Sequence, residues 1–120
     1  MSDVKLNKHG TNAGLKAHIL SDEKMRQLGF TDKDKDVWYF VLYWDDIDIS
    51  FNIYIEKDDP DNPRVEVLDE QYLQFYDYQY ILSCDPDFKV AKLVKERADN
   101  CMTYFIDNGV FSGWQVGDYL

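Results

Sequence analysis

His9 and His18 are the chain's two histidines, and both lie in its N-terminal stretch, outside any strongly patterned element. A nucleophile–base pair needs a base that can be tuned near neutral pH, most often histidine. With both imidazoles displaced from the patterned part of the chain, no Ser–His or Cys–His arrangement is expected, and no catalytic residue is assigned. Zinc needs several Cys or His ligands at suitable spacing. The two cysteines, Cys84 and Cys101, do not supply it.

Carboxylates are the abundant reactive groups. They gather as Asp45, Asp46 and Asp48 in one segment and as Asp58, Asp59 and Asp61 in another. Oxygen ligands could hold a hard cation, but a calcium loop needs alternating ligands, a central glycine and a terminal glutamate. "DDPDNPRVEVLD" has Pro63 where such a loop would continue and has no glycine. No metal and no cofactor are expected. Two carboxylates can act as acid and base in glycoside hydrolysis, but acids this numerous single out no pair without a cleft. Gly109, Gly113 and Gly117 are spaced by four, yet they follow the last helical pattern and do not precede one, so they make no phosphate loop.

The formal net charge is −10, and its distribution is uneven. Asp36–Phe88 contains fourteen acids against two bases, Lys57 and Arg64, and so carries −12. The flanking segments sum to +2 and zero. Such a surface repels phosphate backbones, so no direct nucleic-acid contact is expected, and it attracts basic proteins. "YLQFYDYQY" could stack bases only beside a positive groove, and it contains no basic residue. Its tyrosines suit a protein contact, each with an apolar body and a polar tip. Candidate partner-binding residues are therefore Asp45, Asp46, Asp48, Asp58, Asp59, Asp61, Glu66, Asp69, Glu70, Tyr76 and Tyr78.

The elements that must position these groups follow from periodicity. "VWYFVLYW" (37–44) is a run of apolar and aromatic residues whose length and β-branched content predict a strand. Over 48–56, Ile49, Phe51, Ile53 and Ile55 alternate with Ser50, Asn52, Tyr54 and Glu56, a period of two with one face buried and one facing water. The short "DDID" connection makes the two an antiparallel hairpin. "KDDPDNP" is a second turn, and "RVEVL" (64–68) a third strand. Over 76–82, Tyr76, Tyr78 and Tyr80 alternate with Asp77 and Gln79, which permits a fourth strand; a helical turn or an aromatic loop is the alternative. A long helix is predicted over 86–107, capped by Asp85 with Pro86 at its first position. Val90, Ala91, Val94, Ala98, Cys101, Met102 and Phe105 form its apolar stripe, with Lys89, Lys92, Glu96, Asp99 and Thr103 on the other side. A short helix is predicted over 22–28, capped by Ser21 and ended by Gly29, with an alternative start near Ala13. Phe111, Trp114 and Tyr119 are expected to seal an edge of the core. The fold class is α+β: an antiparallel sheet of three to four strands covered by the long helix, with 1–14 as a mobile tail and 15–120 as one domain.

No apolar run approaches the ~20 residues of a membrane helix, and the N-terminus has no apolar leader stretch, so a cytoplasmic protein with no membrane contact is expected. At ~1.5 Å rise per residue, Pro86–Cys101 would span about 22 Å, whereas a disulfide needs Cα atoms within roughly 7 Å. Two reduced thiols are expected.

The order of the motifs "LGF…WYF", "DISFNIYIE", "VEVLDEQYLQFYDYQ" and "GWQVGDYL" resembles small uncharacterised proteins encoded by phages and prophages of Gram-positive bacteria, over about 20–120. The resemblance implies an intracellular accessory protein acting on host or phage machinery; it implies no activity and no catalytic residue. Residues and resemblance together lead to the expectation of a non-enzymatic protein-interaction module, including an acidic decoy for a nucleic-acid-binding protein. Carboxylates on alternate strand positions stand ~6.6 Å apart and can imitate a regular row of negative charge. A virion or other structural component is the alternative, and a small enzyme a weaker one.

Overall fold

The computed structural model describes residues 5–114. Its elements run β1 (Lys16–Ala17), α1 (Asp22–Gln27), β2 (Val37–Trp44), β3 (Ile49–Glu56), β4 (Arg64–Asp69), β5 (Gln74–Phe75), α2 (Tyr78–Cys84), α3 (Lys89–Asp107) and β6 (Phe111–Ser112). The chain is α+β. β2, β3, β4 and β5 form an antiparallel four-stranded sheet in that order, and β1 pairs with β6 in a separate two-stranded ribbon.

Period-two patterning places Trp38, Ile49, Phe51, Ile53, Ile55, Val65 and Val67 on the inner face of the sheet. Ala91, Val94, Ala98, Met102 and Phe105 of α3 join them in one core. Phe105 meets Phe40 edge-on with ring centroids 4.9 Å apart, which locks helix to sheet. Phe111 and Trp114 close this core as expected, while Tyr119 lies outside the described residues. The ribbon allows no side chain at Gly113. Its φ is +84°, and a Cβ there would lie 1.9 Å from the carbonyl oxygen of Gly14.

Four expectations are corrected. Residues 76–82 do not form a strand: the fourth strand is only Gln74–Phe75, and α2 follows. Asp77 makes the difference, its side chain accepting from the Tyr80 amide as an N-cap. Next, α3 begins at Lys89, after an N-cap position, Phe88, that makes no side-chain cap bond. Asp85 instead ends α2, its amide donating to the Ile81 carbonyl at 2.8 Å and its side chain accepting from Asp87. Asp99, assigned to the solvent side of that helix, is buried. α2 docks against α3, and the hidden carboxylate is met by Lys95 Nζ at 3.1 Å. Finally, residues 5–14 do not trail away from the domain. Thr11 is buried, its hydroxyl accepting from the Val65 amide at 3.0 Å, and Asn7 Nδ2 donates to the Pro63 carbonyl at 2.8 Å. Side chain-to-backbone bonds of this kind anchor a segment without hydrophobic periodicity.

Candidate functional site

The outward face of the sheet collects only some of the residues in question. Antiparallel register sets Tyr43, Ser50 and Leu68 side by side, then Val41, Asn52 and Glu66, then Tyr39, Tyr54 and Arg64. The middle strand thus carries short polar side chains between longer ones. Ser50 is 2% exposed and Asn52 3%, although this face had been expected to meet water. Burial of such groups requires hydrogen bonds, and a continuous line provides them. Tyr39 Oη donates to Asn52 Oδ1 at 2.9 Å, Asn52 Nδ2 donates to Ser50 Oγ at 2.9 Å, and Ser50 Oγ donates to Glu70.

That line leads to one end of the sheet, where the β2–β3 turn meets the end of β4. The Glu70 amide donates to the Asp48 carbonyl at 3.0 Å. Asp48 takes φ 55°, a left-handed conformation that Asp tolerates, and its carboxylate accepts from Tyr43 Oη. Asp69 accepts from the amides of Gln71 and Tyr72. Asp45, Asp48 and Glu70 are therefore assembled around Tyr43, with Asp69 at the adjoining end of β4; the Tyr43 phenol is pushed up first by its bond to Asp48, then by burial and by the charges of Asp48, Asp45 and Glu70. Among the described residues no basic side chain pairs with any of these four carboxylates.

The other predicted acids are placed differently. Asp46 turns to the helix side and accepts from the two terminal guanidinium nitrogens of Arg97, each at 2.8 Å, and this holds its carboxyl below the usual carboxylate range. Asp58, Asp59 and Asp61 lie in the β3–β4 turn, at the opposite end of β3. There the N-terminal segment brings cations: Lys8 sits 2.7 Å from Asp59 and 3.3 Å from Glu56, His9 lies 3.7 Å from Glu56, and Lys16 donates to the Asp61 carbonyl. Glu66 is matched by Arg64 at 3.1 Å. Of the two tyrosines, Tyr76 is half-buried, its amide bound to the Val67 carbonyl, and Tyr78 is fully buried in the core. Tyr78 offers nothing to a partner and is withdrawn as a contact residue.

Sequence reasoning missed the exposed apolar groups beside the acidic end. Val41 and Tyr43 are 51% and 52% exposed, and Tyr72, Leu73 and Phe75 are exposed as well. Alternation within "VWYFVLYW" was the available signal, since every second residue of an edge strand must face away from the core. A cavity of about 320 Å³ lies along the outer edge of β4, lined by His9, Gly10, Val65–Val67 and Phe75–Asp77. Its Glu66 and His9 are already engaged with Arg64 and Glu56. Among the described residues no three His, Cys, Asp or Glu side chains converge to hold a metal ion.

Tyr39 gives this face a pH signature. Burial, reinforced by the neighbouring Tyr54 phenol and then by the charges of Glu70 and Glu66, raises its phenol to about 12. The neutral form is favoured in the fold, so the contribution is present below the unfolded value of ~10 and is lost as pH rises from there towards the folded value. Tyr78 is pushed up by burial too. In an ultraviolet phenolate titration, Tyr39→Phe is expected to remove one late-ionising group. An unchanged high-pH limb would contradict this assignment.

Fold and face together define an α+β domain whose sheet presents an acidic and aromatic end. No family model, curated protein or solved structure matches the chain.

Proposed function

We propose that this chain is a cytoplasmic, non-enzymatic interaction module that receives a basic protein at the acidic end of its sheet. One observation carries the proposal: Asp45, Asp48, Asp69 and Glu70 stand at one end of the sheet beside exposed aromatic side chains, and among the described residues none of them forms an ion pair. A folded chain gains little from gathering like charges, because they repel one another. A partner that supplies lysine or arginine relieves that repulsion and gains charge-assisted hydrogen bonds. Tyr43 adds a ring over which a guanidinium can sit. The basic surface of a nucleic-acid-binding protein is the partner class with this chemistry, which makes the module a decoy for that surface. The cytoplasmic setting fits two cysteines that are both free, one of them exposed.

The test is a titration with a labelled synthetic peptide rich in Arg and Lys. Raising ionic strength from about 0.1 M to about 1 M shortens the screening length from about 10 Å to about 3 Å. Binding governed by these carboxylates should be lost across that range. An affinity that does not change with salt would contradict the proposal.

A further inference from the structure

Hydrogen bonding along β2 shows which of its backbone groups face outward. Tyr39 exchanges both of its bonds with Thr31, at 2.8 and 2.9 Å, on the side away from β3. Backbone direction alternates along a strand, so the N–H and C=O groups of Val41 and Tyr43 point the same way. Among the described residues nothing binds them. Edge strands are ordinarily guarded by lysine, proline, a bulge or a covering segment; here the open stretch reads Val41-Leu42-Tyr43, with none of these. Beneath it, between β2 and α3, lies a hollow of about 550 Å³ lined by Leu42, Trp44, Cys101 and Tyr104, among others.

We propose that the edge of β2 at Val41–Tyr43 takes an extended segment of the basic partner as an added strand, with a basic residue opposite Tyr43 and an apolar residue opposite Leu42. This rests on the partner being a basic protein, as proposed above. Side chains directly across a strand pair share a face. A residue opposite Leu42 therefore enters the apolar hollow. Arg97 also lines that hollow, so a cation is disfavoured there. A residue opposite Tyr43 lies on the outward face, where the carboxylates of Asp45 and Asp48 are in reach. Main-chain bonds would supply affinity, and the alternation of pocket and acid the specificity. A second copy of this chain fits less well: in a register centred on Leu42 it places Val41 opposite Tyr43 and leaves the acids unanswered, and each copy carries a net charge of −10.

Two labelled synthetic peptides of identical composition test the inference, one alternating arginine with leucine and valine, the other with arginines and apolar residues in separate blocks. The alternating peptide should bind about tenfold tighter or better, and it should slow hydrogen exchange of the Val41 and Tyr43 amides. Val41→Pro removes an outward N–H that makes no bond within the sheet, a position where an edge strand tolerates proline. With its fold verified by thermal unfolding, this variant should lose the preference for the alternating peptide while still binding the block peptide. The exchange measurement on the unaltered chain decides the matter if the variant does not fold. Equal binding of both peptides with unchanged amide exchange would overturn the added strand and leave the acidic-end proposal standing. Binding of neither would overturn both. A dimer whose formation protects the same amides would assign the edge to a second copy instead.

Discussion

Phe105→Ala is expected to lower stability by ~3–5 kcal/mol, the range for truncating a fully buried aromatic side chain. Phe105 has no exposed surface, and its ring meets Phe30 at 5.1 Å, Phe40 at 4.9 Å and Phe111 at 6.2 Å. Those three come from the segment after α1, from β2 and from β6, so one side chain of α3 joins helix, sheet and ribbon. Removing it leaves a cavity with walls on separate elements, which a local shift cannot fill. Against a total stability of about 5–15 kcal/mol, a loss of that size brings the chain close to unfolding at ambient temperature. Chemical denaturation of the two proteins measures it. A loss under about 1 kcal/mol would mean that the helix is not anchored on the sheet through this ring. Phe105→Leu, which retains most of the volume, should be markedly milder.

The second large effect concerns binding. The changes Asp45→Asn, Asp48→Asn, Asp69→Asn and Glu70→Gln together remove four negative charges and little else. Each amide keeps an oxygen able to accept the bonds now made from Tyr43, Ser50 and the amides of Gln71 and Tyr72. Asparagine also tolerates the left-handed conformation at position 48. The fold should be unaffected or slightly more stable, since like-charge repulsion is relieved. Affinity for a basic peptide should fall by more than tenfold, because each charged hydrogen bond lost is worth about 1.5–3 kcal/mol where it is desolvated.

The parts of the molecule most legible in the sequence are those whose burial follows a period. Ile49, Phe51, Ile53 and Ile55 on β3 and the stripe of α3 needed only alternation and helical spacing. α2 was not legible, because Tyr76, Tyr78 and Tyr80 fit a period of two as well as they fit a helical turn, and the outcome depended on one capping bond from Asp77. Asp85-Pro86 carried a sound helix-start signal that the fold uses to end α2. Asp99 lies on the polar side of its own helix, and only the docking of α2, a tertiary event, hides it. At the acidic end, the carboxylates were identifiable but their balance was not. Lys8, His9 and Arg97 lie far along the chain from the acids they meet, so a count over Asp36–Phe88 treats alike two clusters that the fold makes different. Burial of Ser50 and Asn52 was hidden for a similar reason: it depends on Tyr43, Val41, Glu66 and Leu68 standing on either side of them.

This difference between the two acidic clusters is the most direct point of test. Affinity for one Arg- and Lys-rich peptide would be measured at about 0.1 M ionic strength for three proteins: the unaltered chain, the fourfold variant at Asp45, Asp48, Asp69 and Glu70 described above, and a variant with Asp58→Asn, Asp59→Asn and Asp61→Asn. The two variants differ by a single unit of charge, so a general effect of net charge would weaken binding in both to a similar degree. A surface built by the β2–β3 turn and the end of β4 predicts loss in the first variant and near-normal binding in the second. Equal loss in both, or loss confined to the second, would contradict the assignment of the binding surface to Asp45, Asp48, Asp69 and Glu70.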